Sequence, residues 1–172
     1  METDVSELRA LGSNKTEYNY GLNNQPPDPA VLERFENPPH QRGEEARGGI
    51  ILEIAAPEFT SLCPKTGQPD YGQIFVTYSP DEWCLESKSF KLYLMQFRMY
   101  GCFHEAIVDK IGHDLVTLLE PVALRVVGKF NPRGGISFHP TFLYQKPQQQ
   151  SLVAPVTMAG QPGVMRSHLT KM

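Results

Sequence analysis

The chain has 172 residues, 40% hydrophobic and 20% charged, the make-up of one compact globular domain with some chain to spare. A formal net charge of −3 argues against general attraction to nucleic-acid backbone, and no run approaches the ~18 apolar residues that a membrane span needs. Cys63, Cys84 and Cys102 form neither a CxxC pair nor an even-numbered framework. With a polar N-terminus that lacks the apolar stretch of a secretory signal, they imply reduced thiols in the cytoplasm rather than a disulfide scaffold or zinc knuckle.

Residues 1–48 are polar, with nine acids and five bases, and are expected to form an arm. One helix start is legible there. Asp28 suits an N-cap, Pro29 the first helical position, and Ala30–Glu36 two turns. The domain spans 49–146. Gly49–Ala56 and Gln73–Tyr78 alternate apolar and polar residues as strands do, and the 59–72 stretch between them, punctuated by Pro64, Gly67, Pro69 and Gly72, is expected to be a long functional loop. Ser87–Tyr100 is a helix ended by Gly101, with Phe90, Tyr93, Leu94 and Phe97 on its packing face and Ser87 or Ser89 as its cap. His104–Glu120 is a second helix, apolar at Ile107, Val108, Ile111, Leu115, Leu118 and Leu119 and stopped by Pro121. Val122–Phe130 and Gly135–Tyr144 complete the set as strands around the turn Asn131–Gly134. Residues 147–172 are expected to be a flexible tail.

The order β-β-α-α-β-β implies an α+β fold, an antiparallel sheet with both helices on one face. Such a sheet has open edges, which closed oligomeric barrels would remove.

Of the three cysteines, Cys63 has the least apolar surroundings, with Ser61, Lys65, Thr66 and Gly67 nearby. A nucleophilic thiol needs such a place, where positive charge or amides favour the thiolate, although a cysteine that only fills a loop is also compatible. Cys84 and Cys102 sit beside large apolar residues, as inert thiols do. Asp70 follows at proton-shuttle distance if the loop folds back, or it begins the strand in an Asx-turn. Lys88, Lys91 and Arg98 share one helix face, fit for a phosphate at a helix start or for plain solvation. Glu105 can accept from the cyclic N–H and exocyclic NH2 of a guanine-like edge, or serve as an ordinary first-turn acid. His104 fits a cap, a proton donor or a metal ligand.

FTSLCPKTGQPDYG, then ESKSFKLY, then FHE together resemble the QueF-type 7-cyano-7-deazaguanine reductases of the short, single-module kind, over about residues 49–145. The octapeptide Glu86–Tyr93 matches the signature of that family at every position. The resemblance implies the tunnelling fold and the NADPH-dependent reduction of a nitrile to a primary amine in queuosine biosynthesis. It implies Cys63 as the nucleophile forming a thioimide and Asp70 as the proton donor. Leu85, Glu86, Ser87, His104 and Glu105 would lie around the deazaguanine, with Lys88 and Lys91 on the NADPH side. Arg133 and Gly134 would be a further phosphate contact, which a plain tight turn explains equally well. Stacked rings of subunits, no bound metal and no direct nucleic-acid binding belong to the same expectation. Two rival readings share the fold: a QueF-like amidinotransferase acting on the nitrile in tRNA, and a cyclohydrolase-like zinc enzyme using Cys63, His104 and either His113 or His139. A non-catalytic oligomer that keeps the pocket is a third.

Overall fold

The computed structural model describes residues 24–38 and 49–147. Its elements are β1 (Arg34–Glu36), β2 (Leu52–Leu62), β3 (Pro69–Ser79), β4 (Trp83–Leu85), α1 (Ser87–Met95), α2 (His104–Leu119), β5 (Ala123–Phe130) and β6 (Thr141–Gln145). Four strands make an antiparallel sheet in the order β2-β3-β5-β6, and β1 pairs with β4 in a separate two-stranded ribbon. Both helices pack on one face of the large sheet, around Ile74, Val76, Tyr78, Leu124, Val126 and Phe130. The α+β architecture expected from the sequence is therefore present. Among the described residues, no helix is long and apolar enough to cross a membrane.

The alternation that marks the strands is the alternation of burial. Ile74, Val76 and Tyr78 are all at most 2% exposed, whereas Gln73 on the opposite face is open to solvent. On α2 the apolar residues Ile107, Val108, Ile111, Leu115 and Leu119 are buried, and the chain leaves the helix through Glu120 at a left-handed φ of 46° before Pro121.

Four expectations are corrected. The 59–72 stretch is not a long loop: β2 and β3 run through most of it, and the connection shrinks to 63–68. Phe59, buried against Phe97 and Phe130, supplies the core contact that extends β2, and a register shift between Ala56 and Phe59 absorbs Pro57. The helix expected over Ala30–Glu36 is a single 3-10 turn, Pro29–Val31, capped by the Asp28 carboxylate; the chain then extends as β1 because its backbone is claimed by β4. Helix α1 ends at Met95 and continues only as a 3-10 segment, Gln96–Met99. The last strand is only Thr141–Gln145: before it Pro140 has no N–H to donate, and the chain keeps to β5 only through the Pro140 and Phe138 carbonyls, which accept from the Gly128 amide (3.0 Å) and the Phe130 amide (3.3 Å).

Residues 24–37 form a strap over α1. The Gly101 amide donates to Asn24 Oδ1 at 2.7 Å, the Asp28 amide to Gln96 Oε1 at 2.7 Å, and the Glu33 amide to Ser89 Oγ at 3.0 Å. Arg34 stacks on Trp83, its carbon Cζ 4.1 Å from the ring centre, and donates to the Leu118 carbonyl at the end of α2. The arm expected over 1–48 lies partly outside the described residues, and so does all but the first residue of the tail expected over 147–172.

Candidate active site

Three segments meet at one end of the sheet. The β2–β3 connection is closed by hydrogen bonds from the Cys63 amide to the Gln68 carbonyl (2.8 Å) and from the Gly67 amide to the Cys63 carbonyl (2.9 Å), with Gly67 at φ 66°. A parallel bridge between Leu62 and Gly101 lays the chain before α2 beside the end of β2, bringing Cys102, Phe103 and His104 next to Cys63. The loop after β5 is fastened to β3 by the Asn131 amide on the Tyr71 carbonyl (2.9 Å), then turns tightly at Arg133–Ile136 with Gly134 and Gly135 both at positive φ.

Between these segments lies a cavity of about 250 Å3, lined by Cys63, Asp70, Cys102, His104, Glu105 and Arg133 among its polar and sulfur-bearing residues, and by Pro64, Phe103, Ile136 and Phe138 among its apolar ones. It is below the ~300–1,000 Å3 usual for drug-sized ligands, a size for a small bicyclic base and not for a whole dinucleotide.

Cys63 is 9% exposed, and its thiol is held at about 6, well below the ordinary cysteine range. The Thr66 hydroxyl is the largest cause, followed by the backbone amides of Lys65 and Thr66 and then the Arg133 side chain; burial opposes them weakly, because the thiol faces an open cavity. The Lys65 contribution is thus its amide. In contrast, burial pushes the thiols of Cys84 and Cys102 up, and the three cysteines are free.

Asp70, opposite Ser61 in the β2–β3 register, is only 4% exposed. Its carboxylate forms an ion pair with Arg133 and lies 3.3 Å from His104 Nε2. That separation does not amount to a hydrogen bond, since Nε2 is buried without a hydrogen-bond partner. Burial lowers the His104 pKa, against the opposing pull of Glu105, so the imidazole is neutral at neutral pH. Its ring lies flat on Phe130, centroids 3.7 Å apart and planes 4° apart.

The fold thus gathers Cys63, Asp70, His104, Glu105 and Arg133 around one cavity, with Gly134 in the adjoining turn. It does not bring the rest of the expected set there within one chain. Leu85 is in the core, its amide donating to the buried Tyr78 hydroxyl at 2.9 Å. Glu86, rather than Ser87 or Ser89, caps α1: its carboxylate accepts from the Lys88 amide at 2.8 Å and the Ser89 amide at 2.6 Å. That anion occupies the helix start, so the free N–H groups expected there for a phosphate are already satisfied. Ser87, Lys88 and Lys91 stand exposed on α1, and Arg98 is exposed in the 3-10 segment that follows. Thr66 and Phe130 were not singled out for the site by sequence reasoning. For Phe130 the only sequence signal is its place at the end of an apolar strand face.

The ligand set of a cyclohydrolase-like zinc enzyme does not assemble: among the described residues no three His, Cys, Asp or Glu side chains are placed to hold a metal ion together, and neither His113 nor His139 lines the cavity.

A family model described as QueF-like protein matches residues 69–149. The NADPH-dependent 7-cyano-7-deazaguanine reductase of Streptococcus mutans is 46% identical over 146 residues, covering 85% of this chain and 83% of that protein. The reductase of the same name from Exiguobacterium sibiricum is 46% identical over 144 residues, covering 84% and 82%. The crystal structure of the archaeosine synthase QueF-Like in the apo form superposes with a TM-score of 0.51 at 18% identity, covering 54% of this chain and 91% of that one, a likeness of fold. With such identity sustained over most of both lengths, and with the fold in common, the chain belongs to the family of NADPH-dependent 7-cyano-7-deazaguanine reductases.

Proposed function

We propose that this chain reduces the nitrile of 7-cyano-7-deazaguanine to the primary amine, consuming two NADPH, through a thioimide on Cys63. The product, 7-aminomethyl-7-deazaguanine, supplies queuosine for tRNA, and the substrate is the free base. The observation that carries the reading is the acidic thiol of Cys63 in the wall of a base-sized cavity shared with a buried carboxylate. Its three free thiols suit the cytoplasm, a reducing compartment.

A nitrile accepts hydride poorly, and a thioimide accepts it well. At pH 7 a thiol held at about 6 is mostly thiolate. Its electron pair forms the C–S bond, a π pair of the nitrile moves to nitrogen, and that nitrogen takes a proton delivered through Asp70. NADPH, when bound, supplies the hydride in each of two rounds. Between the rounds the C–S bond breaks and Cys63 regains its charge, leaving an imine in the cavity whose apolar wall is Phe103, Ile136 and Phe138. Glu105, exposed and anionic at the cavity wall, accepts from the pyrimidine edge of the base.

The cavity has room for the base, so the body of the cofactor lies outside it, where Lys88 and Lys91 are solvent-facing cations one helical turn apart. Those lysines, with the exposed Ser87 beside them, reach the cavity of a neighbouring copy in a ring of subunits, whereas Leu85 and Glu86 support that helix start from within. Among the described residues the outer edges of β2 and β6 have no strand beside them, and this, with Leu143 at 71% exposure, supports assembly of this kind.

Intact-mass measurement tests the covalent step. Protein mixed with the nitrile, without NADPH, should gain one molecule of nitrile, and Cys63→Ala should gain none. Adding NADPH should then oxidise it, which an amidinotransferase would not do. Absence of the adduct in the unaltered protein would refute the mechanism.

A further inference from the structure

We propose that Arg133 is a positioning residue of the covalent step, its guanidinium holding the Cys63 thiolate and the Asp70 carboxylate side by side before any cofactor arrives. The inference rests on the nitrile reading above and gives Arg133 a task separate from a phosphate contact.

Arg133 reaches from the tight turn at the cavity mouth to Asp70, a carboxylate 4% exposed, while its own side chain is 49% exposed. It also lines the same cavity as Cys63 and is among the groups that hold the thiol's pKa down. A buried carboxylate without a cation is costly, and a second anion beside it more so. The other groups facing the thiol do not meet that need. Asp70 on β3 and Glu105 at the start of α2 are acids, His104 is neutral through burial, Cys102 is a thiol with a raised pKa, and Lys65 acts through its amide. Among the described residues that line the cavity, Arg133 is the only permanent cation. Its planar fork carries several donors, enough for sulfur and carboxylate together.

This arrangement fixes the order of proton events. While the ion pair stands, Asp70 is ionised and has no proton to give. As the thiolate pair forms the C–S bond, negative charge leaves sulfur for nitrogen. Asp70 then passes on a proton drawn from solvent, and Arg133 keeps its own throughout.

The test is alkylation of Cys63 by iodoacetamide, without nitrile or cofactor, read by intact mass between about pH 5 and about pH 9. In Arg133→Gln the pH midpoint should rise by about half to one pH unit, and alkylation near pH 6 should slow roughly three- to tenfold. Arg133→Lys should fall between the two, keeping the charge but not the fork. Thermal melting checks that each variant is folded, which a half-exposed turn residue should permit. An unchanged midpoint in Arg133→Gln, with only the KM for NADPH raised, would overturn the proposal and leave Arg133 to the cofactor. If the unaltered protein alkylates normally but forms no nitrile adduct, the nitrile reading fails, and the midpoint still decides the place of Arg133.

Discussion

Gly128 lies within β5 and does not line the cavity, yet its substitution by alanine should disturb the chemistry. A Cβ there would stand 2.6 Å from Phe130 Cε2 and 2.8 Å from Val108 Cγ2, both closer than carbon atoms tolerate. Phe130 is 2% exposed and carries the His104 ring flat on its face; Val108 is one turn along α2 from His104. The ring and the helix that must yield are thus the two supports of the imidazole beside Asp70. Overpacking of this kind costs about 1–3 kcal/mol, and alanine recovers about 0.5–1 kcal/mol over glycine in a strand, so the net loss should lie near the middle of the difference, at about 1 kcal/mol. Urea unfolding measures that loss, and the rate of nitrile adduct formation on the folded variant measures the effect on the site, expected at several-fold slower. If Gly128→Ala matches the unaltered protein in both measurements, the ring and helix have slack, and the claim that β5 sets the His104 position is wrong.

Alkylation of the unaltered protein should rise as pH passes through about 6 and then level off, because a thiol with a depressed pKa is reactive above that value and lost as protonation proceeds below it. Thr66→Val removes the largest acidifying contact and should move that midpoint up by about one pH unit, slowing adduct formation at neutral pH without loss of fold. Tyr78→Phe deletes the acceptor of the buried Leu85 amide and should cost about 1–2 kcal/mol in urea unfolding.

Helix α2 was legible almost to the residue because local signals agreed, apolar spacing along its length and a proline at its end. The extent of β2 and β3 was not, because proline and glycine were given the meaning they have in turns. Pro69 opens β3, where a missing N–H costs little, and Gly72 sits inside the strand for want of room, a Cβ there meeting the Lys129 carbonyl oxygen at 2.8 Å. Of the four turn-like residues, Gly67 is the one at a positive φ. The pairing of Asp70 with Arg133 was illegible for a different reason. It depends on the register Gly72↔Phe130, which puts the residues just before one and just after the other at the same end of the sheet. No local pattern encodes a register between strands so far apart in sequence.

The octapeptide Glu86–Tyr93 combines two kinds of requirement, and separating them gives the sharpest test of how the site is completed. Glu86 caps its own helix, Ser89 accepts from the Glu33 amide and donates to the Glu86 carbonyl, and Phe90 and Tyr93 are buried in the core. These residues are explained within one chain. Ser87, Lys88 and Lys91 are not, since they are exposed and absent from the cavity lining. If they serve a neighbour's cavity, two inactive proteins should repair each other. A Cys63→Ala chain keeps the lysines, and a chain with Lys88→Ala and Lys91→Ala keeps the thiol. Co-expressed in equal amounts, they should assemble with about one quarter of the sites intact, and turnover should return to about that fraction from near zero. If every site were built from one chain alone, no mixture would contain an intact one, and activity would stay at the level of the separate variants.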